Sequence, residues 1–135
     1  MACRNIGWLP RENETMAKTI LIAANDPNLI YLLQRYAEES GFQAVRAGQV
    51  KDILDLARRT KPALIILDVE LPESIGPKVL CQLRAEPATR NVPLVIYSCL
   101  DEPLDDWGEG VNGYLQKSVM YDDFVAVLKH TGAYV

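Results

Sequence analysis

The run Ala63-Leu64-Ile65-Ile66-Leu67, closed by Asp68, narrows the fold more than any other stretch of this chain. Five apolar residues without alternation describe a strand covered on both faces, the environment at the centre of a parallel sheet. Pro62 and Pro72 bound the strand, because proline cannot donate to a sheet ladder. The run delivers one carboxylate, Asp68, at its carboxyl end, the edge at which open parallel sheets bind ligands. A charged group is costly beside so much apolar surface, so its position calls for a reason. Taken alone, an aspartate there is more simply a cap on the following turn. The chemical reading depends on whether other strands send matching groups to the same edge.

The rest of the chain alternates between two periods. Residues 19–24 (with Ile20, Leu21 and Ile22) form a first strand, ending at Asn25-Asp26-Pro27. Asn or Asp can cap a following helix, and Pro27 suits the first helical position. Leu29, Leu32, Leu33, Tyr36 and Ala37 recur at helical spacing, predicting a helix over 28–40 that Gly41 stops. A short strand over 42–46 leads to a helix over 49–60, with Val50, Ile53, Leu54 and Ala57 inward. After the Asp68 strand comes a helix over 75–85 carrying Val79, Leu80 and Leu83. Residues 92–98 form a second fully apolar strand (Leu94-Val95-Ile96-Tyr97) that ends in the hydroxyl of Ser98. The segment 101–112 holds five acids, one proline and two glycines, which leaves room for no more than a single helical turn around 104–107. A brief strand over 113–116 ends at Lys117, and a last helix over 121–129 carries Phe124, Val125, Val127 and Leu128.

Strand and helix thus alternate five times, which implies a doubly wound α/β fold: a five-stranded parallel sheet with helices on both faces. Right-handed crossovers and one reversal of winding place the first and third strands side by side at the centre. Neighbouring strands lie about 4.8 Å apart, so the ends of these two can share one small ligand.

Composition removes several function classes. At 135 residues and 49% hydrophobic, the chain suits one globular domain with a real core. A net charge of −4 without a basic cluster argues against nucleic acid as a partner. No apolar run approaches the roughly 20 residues of a membrane span, and no apolar signal-peptide region opens the chain. Cys3, Cys81 and Cys99 are odd in number and scattered, which reads as reduced thiols in a cytoplasmic protein. His130 is the only histidine, so histidine triads and multi-histidine metal sites cannot be built within this chain. Residues 1–18 show no periodicity and read as a loosely ordered extension, with 19–135 as the folded domain; Met16-Ala17-Lys18 looks like a start of its own.

The strand ends can now be collected. The first offers Asn25 and Asp26, the third Asp68, the fourth Ser98 and the fifth Lys117. Two carboxylates and an amide oxygen suit a hard divalent cation; Mg²⁺ favours one or two carboxylates with waters and a phosphate. A lysine opposite them can hold an anionic oxygen, and a hydroxyl adds a directional hydrogen bond. A carboxylate kept ionised beside such a cation can act as a nucleophile toward phosphorus. This ordered set resembles the receiver domain of bacterial two-component response regulators, over roughly 19–131. The matching features are Asn25-Asp26, Leu67-Asp68 with Leu71-Pro72, Gly76 eight residues beyond Asp68, Ser98, and Gly113-Tyr114-Leu115-Gln116-Lys117.

The resemblance implies the flavodoxin-like strand order 2-1-3-4-5 and a set of roles. Asp68 is expected to accept a phosphoryl group from a sensor histidine kinase or a histidine phosphotransfer protein. Asp26, Asp68 and the backbone carbonyl of Glu70 are expected to bind Mg²⁺, with Asn25 holding it through water. Lys117 pairs with the phosphoryl oxygens, and Ser98 bonds to them afterwards, letting Tyr114 repack and change the surface that an unknown downstream protein meets. Tyr114 reads equally as a space-filler beside the last helix. Such a domain is a signalling module and not an enzyme, with no output module in this chain, so its output passes through protein contacts.

Three departures from the family pattern carry their own expectations. Asn25 replaces one member of an acidic pair, which should weaken Mg²⁺ binding. Ser118 follows Lys117 where the family has a proline, and a cis bond before a non-proline residue costs about 2.5–4 kcal/mol. The helix-poor segment 101–112 leaves the helix between the fourth and fifth strands short or absent, so partner choice should be unusual. These departures motivate an alternative, a phosphorylation-independent pseudo-receiver that serves only as an interaction module. A third reading, a phosphatase of the haloacid dehalogenase type, rests only on Asp68-Val69-Glu70 and lacks the aspartate general acid. The turn after the first strand has no glycine, so nothing supports dinucleotide binding.

Overall fold

Every apolar run identified above is a strand, and each is covered on two sides. In a computed structural model, which describes residues 18–49, 51–68, 77–87, 89–98, 111–116 and 119–132, nine elements follow one another. They are β1 (Lys18–Ala23), α1 (Pro27–Glu39), β2 (Phe42–Ala47), α2 (Lys51–Thr60), β3 (Leu64–Asp68), α3 (Pro77–Ala85), β4 (Leu94–Ser98), β5 (Gly113–Gln116) and α4 (Tyr121–Thr131). The strands form one wholly parallel sheet in the order β2-β1-β3-β4-β5. The winding therefore reverses between β1 and β3, as expected.

Successive side chains along a strand point to opposite faces, and here both faces are dry. Ile20, Ile22, Leu64, Ile66 and Val95 pack with Leu29, Leu33 and Ala37 of α1 and with Phe124 and Leu128 of α4. Leu21, Ala23, Ile65, Leu67, Leu94 and Ile96 face the other way, onto Ile53 and Ala57 of α2 and Leu83 of α3. All residues of β3 and β4 are buried. Each large aliphatic side chain so placed contributes about 1.5–3 kcal/mol, which makes this sheet the main stabilising element.

Side-chain polar groups finish the ends of these elements. Asp26 caps α1, its Oδ1 accepting from the Asn28 amide at 2.9 Å, and Pro27 opens the helix. Beyond Ser40, Gly41 takes φ of +88°, a left-handed backbone that glycine adopts without strain. At the amino edge of the sheet, Asn112 Oδ1 accepts from the Leu94 amide (2.9 Å) and from Arg84 Nη2 (3.1 Å). Arg84 Nη1 also donates to the carbonyls of Arg90 (3.0 Å) and Val92 (2.8 Å), so one guanidinium from α3 sets the start of both β4 and β5. Burial lowers the pKa of Arg84 from the usual guanidinium value. Across the opposite layer, Tyr36 of α1 stacks obliquely on Tyr121 and Phe124 and donates to the Val119 carbonyl at 3.1 Å.

Element boundaries differ from expectation by a residue or two at several ends, and four of them have a cause in the local contacts. Lys18 belongs to β1, pairing with Phe42, so the described strand includes one residue before the expected start at 19. Helix α2 begins at Lys51, after a turn in which the Asp52 amide donates to the Gln49 carbonyl. Strand β4 begins at Leu94 and not at 92, because the Val92 amide donates to the Thr89 carbonyl and Pro93 has no N–H. Helix α4 runs two residues past 129, to Thr131, and stops at Gly132 with φ of +81°. Residues 1–17 and most of 101–112 (101–110) lie outside the described residues, with the expected extension and the expected short fourth helix. No helix among the described residues is long and apolar enough to cross a membrane.

Truncating a side chain at the sheet centre tests this account of stability. Ile66→Ala should cost about 2–5 kcal/mol, read as a lower midpoint of urea unfolding with an unchanged slope.

Candidate functional site

An apolar strand core leaves polar groups only at the strand ends, and the parallel arrangement sends all carboxyl ends to one edge. Strand β1 last pairs with β3 at Ala23 and Leu67, so Asp68 follows directly, and Asn25 and Asp26 leave β1 just beyond. On the other side of β3, Asp68 pairs with Tyr97, and Ser98 pairs with Gln116 of β5. Asn25, Asp26, Asp68 and Ser98 thus stand at adjacent strand ends of one edge. Lys117 and Glu70 lie outside the described residues; Gln116, the residue before Lys117, closes the β4–β5 ladder at this edge.

Burial separates these groups into two kinds. Asp68 is 7% exposed and Ser98 6%, while Asn25 and Asp26 are exposed. A carboxylate as enclosed as Asp68 is stable only with donors or a cation to offset its desolvation. Asp26 gives Oδ1 to the helix cap and remains open to solvent, so capping and ligand binding are compatible in one residue. Tyr114, in β5 and paired with Ile96, is 38% exposed and so is not a fully packed space-filler.

One charged residue of this edge escaped the sequence reading. Arg46, near the end of β2 and paired with Ile22, directs Nη2 to Asn25 Oδ1 at 3.4 Å. The Ala24 amide extends the β1–β2 ladder to the Ala47 carbonyl (3.2 Å), which holds the two strand ends together. The signal was available: in the order 2-1-3-4-5 the second strand flanks the first, so its terminal residues also belong to the edge.

The donor set is made of oxygens. Among the described residues no group of three or more His, Cys, Asp or Glu gathers to hold a metal. A cation at this edge therefore has at most the carboxylates of Asp26 and Asp68 from these residues, with amide, carbonyl or water oxygens completing its shell. That set fits Mg²⁺, which retains waters and takes few carboxylates; it does not suit zinc or a soft metal.

Known proteins resemble this chain along most of its length. The family described as "Response regulator receiver domain" matches residues 20–129. The chain is 28% identical over 118 residues to the polar-differentiation response regulator DivK of Brucella anthropi, covering 84% of this chain and 95% of that protein. A CheY-like receiver domain from Methylobacillus flagellatus superposes with a TM-score of 0.76 at 22% identity, over 85% of this chain and 98% of the other. The receiver domain of a Pseudomonas aeruginosa sensor histidine kinase, with a magnesium ion coordinated in its active-site cleft, gives 0.74 at 19% identity over 86% and 98%. At such identities the two structural likenesses speak for the fold alone.

The double role of Asp26 can be separated by substitution. Asp26→Ala should destabilise the domain by about 1 kcal/mol through loss of the α1 cap, whereas Asp26→Ser, which keeps a capping oxygen, should hold its thermal midpoint close to wild type.

Proposed function

The chain belongs to the response regulator receiver domain family, and from that premise we propose that Asp68 is its phosphoacceptor, loaded from a phosphohistidine with the help of Mg²⁺. The observation that carries this reading is the burial of the Asp68 carboxylate at the end of the central strand, beside the buried hydroxyl of Ser98 and the exposed carboxylate of Asp26. The donor is a sensor histidine kinase or a histidine phosphotransfer protein. The odd, scattered cysteines support a cytoplasmic setting.

In the transfer, an Asp68 oxygen attacks the phosphorus in line with the phosphohistidine P–N bond. The O–P bond forms as the P–N bond breaks, and the electron pair returns to the imidazole nitrogen. Mg²⁺, when bound, would neutralise charge on the phosphoryl oxygens and carboxylates. Asp26 and Asp68 would hold it, with Asn25 through water and with the Glu70 carbonyl. Lys117 would take a phosphoryl oxygen from the opposite side. The hydroxyl of Ser98, one residue beyond the Tyr97 that pairs with Asp68, is the group at hand to donate to the new acyl phosphate. The acyl phosphate carries about −1.5 to −2 charges where the Asp68 carboxylate carried −1, and a shift of Ser98 would draw on the segment after β4 and on Tyr114 of the neighbouring strand. The altered face is then read by a downstream protein.

The contact of Arg46 with Asn25 favours a second reading, a receiver fold used for binding alone, because it sets a positive charge against one of the residues proposed to hold the metal. Incubation with acetyl phosphate and Mg²⁺ followed by intact mass decides between them. The first reading expects one added phosphoryl group on the wild type, none after Asp68→Asn and none in EDTA. An unmodified wild type would establish the second.

A further inference from the structure

Among the described residues, Arg46 is the one charged group at this edge for which the phosphotransfer scheme has no use. Its guanidinium lies between two fixed points. Nη2 is 3.4 Å from Asn25 Oδ1, and it would be 3.5 Å from a Cβ added to Gly48, so the side chain runs along the β2 end toward β1. Among the described residues it has no acidic partner, and Asn25 is its hydrogen-bond acceptor. An exposed arginine with a carboxylate in reach would be held as an ion pair; this one is held against a neutral amide.

We infer that Arg46 is a tethered cation that lowers the affinity of this edge for Mg²⁺. The inference rests on the proposed metal site and concerns its regulation. Two effects act in the same direction. The guanidinium repels a divalent ion bound beside Asp26, and it occupies the amide oxygen of Asn25 that would otherwise face the ion or its water. Substituting an acid by Asn25 already removes one negative charge from the pattern that the family carries. Arg46 adds a positive charge beside Asn25, so the edge is less negative still. A weaker metal site makes occupancy depend on free Mg²⁺ near physiological levels, and phosphorylation with it.

Calorimetric titration of the whole chain with MgCl₂ at low ionic strength tests this without any phosphodonor. Arg46→Gln should bind Mg²⁺ about 3- to 10-fold more tightly than wild type, with the gain shrinking as salt is raised. Arg46→Lys, which keeps the charge, should stay within about twofold of wild type. Asp68→Asn in either background should abolish binding, which places the ion at this edge. Binding that Asp68→Asn abolishes but Arg46→Gln leaves unchanged or weakened would overturn the role of Arg46 and leave the metal site standing. Tightening by Arg46→Lys equal to that by Arg46→Gln would overturn the charge argument. If no variant binds Mg²⁺, the metal site fails and the inference fails with it.

Discussion

The pairing of β1 with β3 governs this molecule. Ile20 to Ala23 lie beside Leu64 to Leu67 in parallel, with side chains that offer nothing polar over four successive pairs. Such a pair can be buried on both faces, and it must be, because nothing in it can face water. It follows that helices cover both sides and that polar side chains are pushed to the ends. A sheet with one wet face could scatter its functional groups over that face. This one has only an edge to offer, and Asp68 is enclosed because it is the first residue beyond the apolar core of β3.

Much of this could be read from the residue order. The unbroken run before Asp68 and the second run ending at Ser98 could hardly be anything but central strands. The switch from runs to helical spacing marked each crossover. Asp26 with Pro27 was legible as a helix start for the reason the structure bears out, an acceptor for an amide that would otherwise go unpaired. The misplaced boundaries arose where a longer-range partner decided the matter. Val92 is apolar enough for a strand, yet its carbonyl is claimed by Arg84 and its amide by Thr89. Lys129 looked like a helix end by composition, while the true stop was the glycine three positions later.

The edge itself was legible in types more than in contacts. Asp68 and Ser98 were identified as strand-end groups, but nothing in a linear pattern says that both are enclosed while Asn25 and Asp26 are exposed. Arg46 shows the limit well. Its own strand is short and half-buried, so it reads as a solvated charge until the order of strands is known. Only then does the end of β2 become a neighbour of the end of β1. Side-chain reach, a property of three dimensions, made it part of the edge.

The hydroxyl of Tyr36 crosses from α1 to the Val119 carbonyl, joining positions 83 residues apart, while its ring leans on Tyr121 and Phe124 at the start of α4. These contacts tie α1 to the start of α4 through the Tyr36 side chain. A displacement of α1 would therefore reach the approach to α4 by a route that does not run only through the strands.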